Sequence, residues 1–333
     1  MRHDQDDFHR SVAWLLCRGS IEFDSIGPVR SRRLSQSQRD DRRPFPAGGG
    51  TDAIARLVAQ RLSARWGKSF VVENRVGAGG NLAGNAVARS APDGHTLIMA
   101  TSGVLSTNIS LYKNLSYNPT KDLAPVGLIC AVPFVLVAHP GLPVQNVTEL
   151  IKLAKSRMPK LNYASGGIGT FHHMMGEMLK IVAGIDMVHV PFKGGAPAVN
   201  DVVAGHVPLA FAELPAVRQL VETGKLRALG ITTKERALAA PSVPPLAEAG
   251  LPGFDASAWQ MMAAPAGVPA GIRAKLNNEL NAMVGDPDVR KAILDLGFNP
   301  IGRGGPDELE RYVQSETARW KELIEKAGIS LSE

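Results

Sequence analysis

The chain has little of the cysteine, the long apolar runs and the clustered positive charge that mark zinc-binding, membrane-spanning and nucleic-acid-binding proteins. It contains two cysteines among 333 residues, Cys17 and Cys130, and neither belongs to a C-x-x-C pair or a cysteine–histidine cluster. A zinc site of the usual spacing is therefore not predicted, whereas a single Cys17–Cys130 disulfide stays open. No apolar run approaches the roughly 20 residues needed to cross a bilayer. The net charge of +6 is spread along the chain and forms no basic stripe with interleaved aromatics, which argues against a nucleic-acid partner.

Motifs for nucleotide binding and hydrolysis are also missing. The chain has no G-x-x-x-x-G-K-[ST] loop, and neither of its main glycine-rich loops fits G-x-G-x-x-G. A G-x-S-x-G elbow is absent at Ser165 because Tyr163 occupies the position of the first glycine. His173 and Glu177 have the i, i+4 spacing of two metal ligands on one helix face, but no third ligand is evident. The sequence therefore predicts neither a catalytic serine nor a metal.

Two glycine-rich loops stand where a strand pattern gives way to a helix pattern. The first is PFPAGGGTD at residues 44–52, and the second is SGGIGTFH at residues 165–172. Glycine lets the backbone approach a ligand closely, and a helix N-terminus offers unpaired N–H groups and the positive end of a dipole. Two such loops facing each other predict a socket for an anion, most simply a carboxylate.

Strand and helix patterns alternate from residue 44 onward. The strand patterns cover residues 69–74, 96–100, 126–138, 161–164, 187–192, 207–212 and 226–232. Helices are predicted between several of these strands and, near the C-terminus, at residues 272–284, 287–296 and 306–327. This alternation predicts an α/β fold with βαβ units and parallel sheets. Ligands of such folds bind beyond the carboxyl ends of strands, which is where the glycine loops fall.

The first 43 residues differ from the rest of the chain. They are rich in arginine and aspartate, and their one apolar stretch, at residues 12–17, is shorter than the core of a signal peptide, roughly 7–15 residues. We expect residues 1–43 to be an atypical, disordered leader. The abrupt change of pattern at Pro44 further suggests an upstream frameshift or a misassigned start.

Six segments together resemble the Bug family, the solute receptors of tripartite tricarboxylate transporters. Besides the two glycine loops, the segments are NRVGAGGN at 74–81, APDGHTL at 91–97, VPFKGGAPA at 190–198 and LAEAGLPG at 246–253. The match spans roughly residues 44–328. The resemblance implies a two-lobed, type II periplasmic-binding-protein fold, with each lobe a mostly parallel sheet flanked by helices. Residues 44–131 and 230–333 would form lobe 1, and residues 132–229 would form lobe 2.

The resemblance also implies a periplasmic receptor that performs no chemistry and needs no cofactor. Its ligand would be a small organic acid, namely a mono-, di- or tricarboxylate or an acidic amino acid, which it delivers to integral membrane permease subunits. The positions that match the family's ligand contacts are Phe45, Ala47, Gly48, Gly49, Thr101, Ser102, Ser165, Gly167, Gly169, Thr170, His172 and Asp201.

The chain departs from the family pattern in two places. Family members begin with an export signal and an apolar strand that runs directly into the first loop, whereas residues 37–43 are polar here. The signal and the first strand are therefore expected to be lost. Glu213 stands where aspartate is commoner, and its longer side chain would narrow the pocket. Two rival interpretations stay open: an enzyme acting on a small carboxylate with His172 as acid or base, and a truncated copy without function.

Overall fold

Strands and helices alternate along the described part of the chain. The computed structural model describes residues 50–76, 78–156 and 158–331, and residues 11–18 as backbone. The strands are β1 (Ser11–Arg18), β2 (Ser69–Val76), β3 (Thr96–Thr101), β4 (Leu123–Val132), β5 (Phe134–Ala138), β6 (Leu161–Ser165), β7 (Met187–Pro191), β8 (Leu209–Glu213), β9 (Arg227–Ile231), β10 (Ala258–Pro265) and β11 (Asn299–Pro300). The helices are α1 (Gly50–Trp66), α2 (Asn81–Ala88), α3 (Asn108–Leu111), α4 (Pro119–Asp122), α5 (Val147–Ser156), α6 (Phe171–Ala183), α7 (Gly195–Val203), α8 (Leu214–Glu222), α9 (Ala270–Gly285), α10 (Pro287–Asp295) and α11 (Pro306–Ala327).

The strands form two sheets that divide the molecule. Six strands lie in the order β11-β4-β10-β3-β1-β2, and five lie in the order β7-β6-β8-β5-β9. Pro133 separates β4 from β5, and these two strands belong to different sheets. Proline has no N–H to donate to a ladder, which suits a point where the chain leaves one sheet for the other. The chain returns to the larger sheet between β9 and β10.

The two crossings between the sheets lie side by side. The Phe134 N–H donates to Thr232 Oγ1 at 3.2 Å, and the Thr232 N–H donates to the Phe134 carbonyl at 2.9 Å. The Ala256 N–H in turn donates to the Thr232 carbonyl at 2.8 Å. Two adjacent connections of this kind form a hinge about which two packed halves can move.

Strand direction differs between the two sheets. In the smaller sheet β6 is parallel to β7 and β8, while β5 is antiparallel to β8 and β9, so β5 alone opposes the others. In the larger sheet each adjacent pair is antiparallel. The expectation of a mostly parallel sheet is therefore wrong for the larger sheet. Strands β2, β3 and β4 do share one direction, but β1 and β10 insert between them in the opposite direction.

The leader contributes a strand that the sequence analysis did not expect. Residues 11–18 form β1, which pairs with all eight positions of β2 and with part of β3. An apolar run too short for a signal peptide is thus long enough for a strand. The expected loss of a strand that runs directly into the first glycine loop concerns residues outside those described. Arg18 pairs with Ser69 at the start of β2. Strand β1 thus ends at the edge opposite the carboxyl ends of β2 and β3.

This sheet order decides the question of a disulfide. Strand β1, which contains Cys17, is separated from β4 by β3 and β10. Three strand spacings put these backbones on the order of 14 Å apart, beyond the reach of a disulfide. Cys130 is a buried free thiol, and burial raises its pKa.

Apolar side chains from both sheets and the flanking helices form the interior. Trp259 on β10 and Trp320 on α11 are both fully buried. Their indole N–H groups donate to the same carboxylate oxygen, Glu316 Oε2, at 3.3 and 3.1 Å. None of the described helices combines the length and the apolar character that crossing a bilayer requires.

Candidate functional site

A cavity lies between the two sheets, beyond the carboxyl ends of β3 and β6. Its volume is about 40 Å³. The described residues that line it come from both halves of the molecule: Gly79, Thr101, Gly103, Thr107, Asn108, Tyr112, Ile168, Gly169, Thr170, Phe171 and Leu331. The carboxyl ends of strands are the expected ligand position in an α/β fold, so this cavity is the candidate site.

The structure brings three of the sequence-predicted residues together in the wall of this cavity. Thr101 is the last residue of β3, and Gly169 and Thr170 precede α6. The four predictions from the first glycine loop, Phe45, Ala47, Gly48 and Gly49, lie outside the described residues. The other five, Ser102, Ser165, Gly167, His172 and Asp201, are not among the described wall residues.

The loop at residues 165–170, here called the carboxylate loop, is shaped by its own hydrogen bonds. Ser165 Oγ accepts the Gly167 N–H at 3.0 Å, and the Thr170 N–H donates to the Gly167 carbonyl at 3.3 Å. Gly167 and Gly169 have φ angles of 122° and 72°, which glycine adopts without steric cost. Ser165 and Gly167 thus give the loop its shape, and Gly169 and Thr170 form the wall.

Thr170 sets the start of α6 at the cavity. Its side chain caps the helix by accepting the His173 N–H at 3.2 Å. The helix is 13 residues long and is followed by its C-cap Gly184, which is left-handed with φ 59°. The positive end of the α6 dipole therefore lies at the cavity wall.

His172 and Asp201 lie apart from the wall. The buried His172 ring packs edge-on against Phe134, with ring centroids 5.1 Å apart, and closely against the backbone of Gly195. This contact holds the carboxylate loop against the start of α7. Asp201, near the end of α7, pairs with His206 at 3.0 Å. Five residues of helix separate it from Gly195.

A buried to half-buried polar cluster lies beneath the carboxylate loop; we call it the histidine cluster (Tyr163, His173, Glu177, Lys180 and His189). The rings of His173 and His189 stack with centroids 3.9 Å apart and planes at 11°. Glu177 accepts from the Tyr163 hydroxyl at 2.7 Å and from Lys180 Nζ at 2.9 and 3.0 Å. Burial raises the pKa of the Tyr163 hydroxyl, and the hydrogen bond to Glu177 adds to this effect. The spacing of His173 and Glu177 thus serves a hydrogen-bonded cluster, and no group of three or more potential metal ligands occurs in the described ranges.

Buried polar groups lie next to Thr101 at this edge of the larger sheet, among them the predicted Ser102 and also Gln260, which the sequence analysis did not single out. Gln260 lies opposite Thr101 in the β3–β10 ladder, and its Nε2 donates to Thr51 Oγ1 at 3.1 Å. Gln260 Oε1, Ser102 Oγ and Asp52 Oδ1 are buried and have no hydrogen-bond partner among the described residues. Buried polar atoms normally have partners, so this edge of the sheet is where further polar groups are expected.

On the side of the larger sheet, the cavity wall includes Asn108 of α3 and Leu331 of the C-terminal tail. Asn108 Nδ2 donates to the Gly79 carbonyl at 3.2 Å and to Asn81 Oδ1 at 2.6 Å. The Leu331 N–H donates to the Leu111 carbonyl at 2.8 Å, which fixes the tail to α3. The Leu331 side chain lies so close to Gly169 that a Cβ there would be 2.8 Å from Leu331 Cδ1. The tail therefore closes the gap between the two halves. No local motif marks Asn108 or Leu331, because they reach the site by tertiary packing alone.

The described wall offers hydrogen-bond donors but no formal charge. Thr101, Thr107, Asn108, Tyr112 and Thr170 supply hydroxyl and amide groups, and none of the described wall residues is a lysine, arginine, aspartate or glutamate. An anion here would be stabilised by neutral donors and by the α6 dipole. A cation would gain nothing from the dipole.

Comparison with known proteins identifies the family. Residues 54–329 match the model of the tripartite tricarboxylate transporter family receptor. The chain belongs to this receptor family. The match runs from within α1 to just beyond α11, so it includes every strand after β1 and all of the described cavity wall except Leu331.

Solved structures of tripartite tricarboxylate receptors and their relatives share the fold. Rpa4515 of R. palustris, solved with adipate, is 38% identical with a TM-score of 0.77, over 86% of this chain and 96% of that one. The periplasmic binding protein BugD is 35% identical with a TM-score of 0.73, over 87% and 97%. MatC of Rhodopseudomonas palustris, solved with malate, is 35% identical with a TM-score of 0.71, over 84% and 96%. The chain thus has the two-lobed fold of the periplasmic binding proteins, and family members are periplasmic receptors.

Proposed function

We propose that this chain is an extracytoplasmic receptor that captures a small organic carboxylate between two lobes and delivers it to a membrane permease. Lobe 1 comprises residues 44–131 and 230–333, and lobe 2 comprises residues 132–229. The observation that carries the proposal is the cavity between the sheets, where Thr101 of one half faces Gly169 and Thr170 of the other. The periplasm is the expected compartment, and permease subunits of the tripartite tricarboxylate type are the expected partners.

The composition of the described wall favours an anionic ligand whose charge is not paired with a lysine or arginine side chain. One carboxylate of the ligand is received at the start of α6, where the helix dipole and the threonine hydroxyls of the wall compensate its charge. Hydrogen bonds to charged groups contribute roughly 1.5–3 kcal/mol each, so a few contacts supply micromolar affinity. The first glycine loop, with Phe45, Ala47, Gly48 and Gly49, completes the binding site from lobe 1. Ser102, Ser165, Gly167 and His172 are proposed as further ligand contacts, and Asp201 is the weaker candidate.

Ligand entry requires the lobes to separate. A cavity of about 40 Å³ has room for about three water molecules, which is less than a dicarboxylate needs. The paired crossings at Phe134 and Thr232 supply the hinge, and the contact of Leu331 with Gly169 opens when the halves part. Closure then buries the acid, as in a flytrap.

Short dicarboxylates are the first ligands to test, because two structural neighbours were solved with adipate and malate. A thermal-shift panel should include these two acids, a monocarboxylate, a tricarboxylate, an acidic amino acid and a neutral amide analogue. A ligand at 100 times its dissociation constant stabilises the folded state by about 2.7 kcal/mol, which raises the Tm by a few degrees. A shift by one carboxylate class and none by the amide supports the receptor. A cooperative melt that no carboxylate moves contradicts it.

A matched pair of variants tests the location of the site. Thr101→Val removes a wall hydroxyl and keeps the shape of the side chain, so carboxylate affinity should fall by about two- to tenfold. Thr223→Val removes a hydroxyl from the exposed end of α8, where it bonds only to backbone carbonyls, and should leave affinity unchanged. Equal affinities of the two variants would place the ligand elsewhere. Recovery of the bound acid after incubation separates the receptor from an enzyme, because a receptor returns the acid unaltered.

A further inference from the structure

The carboxylate loop is fixed from below by two stacked imidazoles. His173 Nδ1 accepts the N–H of Gly169, a wall residue, at 3.1 Å. His189 Nε2 lies 2.5 Å from Ser165 Oγ, the hydroxyl that shapes the other end of the loop. Because a glycine-rich loop has little conformational preference of its own, these two contacts determine the shape in which it meets a ligand.

The contact between His173 and Gly169 specifies one protonation state. An imidazole nitrogen accepts a hydrogen bond only when it carries no proton, so His173 must be neutral with its proton on Nε2. That Nε2 lies 3.7 Å from Glu177 Oε1, which suits this tautomer. A second proton, placed on Nδ1, would face the Gly169 N–H and break the hydrogen bond.

The surroundings of His173 keep the ring neutral near neutral pH. The titratable and charged groups that face it are Glu177 and Lys180 on α6, Tyr163 on β6 and His189 on β7. Burial lowers the pKa of His173, and Glu177 opposes this effect in part. Burial and the neighbouring His173 lower the pKa of His189 to about 4. The Glu177 carboxylate is already paired with Lys180, so it only partly stabilises an additional proton on His173.

We propose that His173 is a positioning residue whose neutral ring fixes Gly169, and that carboxylate affinity therefore falls when His173 takes up a proton. This inference rests on the proposed carboxylate-binding function. It adds a reason why the affinity of this receptor depends on pH, apart from the titration of the ligand itself.

One electrostatic effect acts in the opposite direction. A proton on His173 adds positive charge near the loop, and that charge attracts an anion. Glu177, 3.7 Å from the ring nitrogen, offsets the added charge, whereas nothing among the described side chains replaces the lost acceptor of Gly169. The geometric effect should therefore dominate, and affinity should fall on acidification.

The test uses three variants of the full chain, with adipate and malate as probes. His173→Asn places Oδ1 near the position of Nδ1, so it keeps an acceptor for Gly169 that does not titrate. His173→Ala removes the acceptor. His139→Asn is the matched control, because His139 Nδ1 also accepts a backbone N–H, that of Gly141 at 3.0 Å, but lies outside the described cavity wall.

Affinities are measured by calorimetry from about pH 8 to about pH 5, where histidine titrates. Near pH 8 we expect wild type, His173→Asn and His139→Asn to bind alike and His173→Ala to bind about two- to tenfold more weakly. Near pH 5 the carboxylate affinities of the wild type and of His139→Asn should both be lower than that of His173→Asn, by a similar factor. The ratio of the affinities of two proteins at the same pH cancels the effect of the ligand's own titration, because that effect is common to both.

The outcomes separate this inference from the function on which it rests. The role of His173 is overturned if the affinity ratio of wild type to His173→Asn stays constant from about pH 8 to about pH 5, or if the wild type gains affinity relative to this variant in acid. Either result leaves the proposed receptor function standing. Absence of binding of both acids to the wild type at every pH overturns the inference, and failure of the whole carboxylate panel overturns the proposed function with it.

Discussion

Gly176→Ala is predicted to reverse the usual effect of replacing glycine in a helix. Gly176 lies in the interior of α6, where alanine is normally favoured by about 1 kcal/mol. A Cβ at this position, however, would lie 2.1 Å from Cε2 and 2.5 Å from Cζ of Tyr163. These are ring atoms of a side chain with 1% exposure, whose hydroxyl is fixed by Glu177. The ring cannot turn aside as a flexible chain end would.

The expected net effect follows from these two terms. An ordinary carbon contact needs about 3.5 Å, so the ring or the helix must move by more than about 1 Å. Overpacking of this kind costs typically 1–3 kcal/mol, and the severity of the clash puts the cost at the upper end. After the helix-propensity gain is subtracted, Gly176→Ala should destabilise the fold by about 1–2 kcal/mol.

Urea unfolding of three variants tests this reasoning. Gly271→Ala in α9 is the control, because a Cβ there meets nothing within 4 Å, and it should be neutral or stabilising by up to about 1 kcal/mol. Gly176→Ala in a Tyr163→Leu background should cost less than in the wild type, because the ring is gone. A stabilising Gly176→Ala, or one whose cost is unchanged by Tyr163→Leu, would refute the argument.

Two further predictions concern stability. The ordinary pKa of histidine is 6.5 and that of folded His189 is about 4, so the unfolded chain binds the proton first as pH falls. The contribution of neutral His189 to the free energy of unfolding is therefore fully present above about pH 6.5 and declines below it. The loss reaches up to about 2 kcal/mol at pH 5 for this partly exposed ring. His189→Gln should therefore make the urea midpoint less dependent on pH between about pH 7 and about pH 5. A midpoint that falls as steeply with pH as in the wild type would contradict this. Leu15 pairs with Val72 and Leu97 in the middle of β1; Leu15→Pro should cost about 3 kcal/mol or more, and Leu15→Val little, in the same assay. Equal midpoints for these two variants would mean that β1 contributes nothing to the sheet.

The elements next to the candidate site could be predicted from the sequence because their signals are local. The predicted strand at 161–164 and helix at 171–183 correspond to Leu161–Ser165 and Phe171–Ala183. A glycine cluster between two clear hydrophobic patterns marks both boundaries, and the rule that ligands bind at the carboxyl ends of strands locates the cavity. The strand pattern at 126–138 corresponds to two strands, β4 and β5, which Pro133 separates.

Other parts depend on tertiary contacts that no local pattern carries. Strand β10, AWQMMAAP, has no β-branched residue and no alternation, and it is a strand because it fills the gap between β3 and β4. Leu331 lines the cavity, and Gln260 lies beside Thr101, through packing and pairing with distant residues. His172 stays a predicted site residue, and the sequence did not show that its ring also packs edge-on against Phe134.

The measurement that tests the central claim most directly is a crystal structure of the full chain grown with adipate. The account predicts one adipate carboxylate between the sheets, with its oxygens about 2.7–3.2 Å from backbone N–H groups at the start of α6 and from Thr101 Oγ1. It also predicts a cavity wider than that between the closed lobes described above. Adipate bound away from this cleft, or held there by a lysine or arginine in place of the α6 N-terminus, would contradict the account.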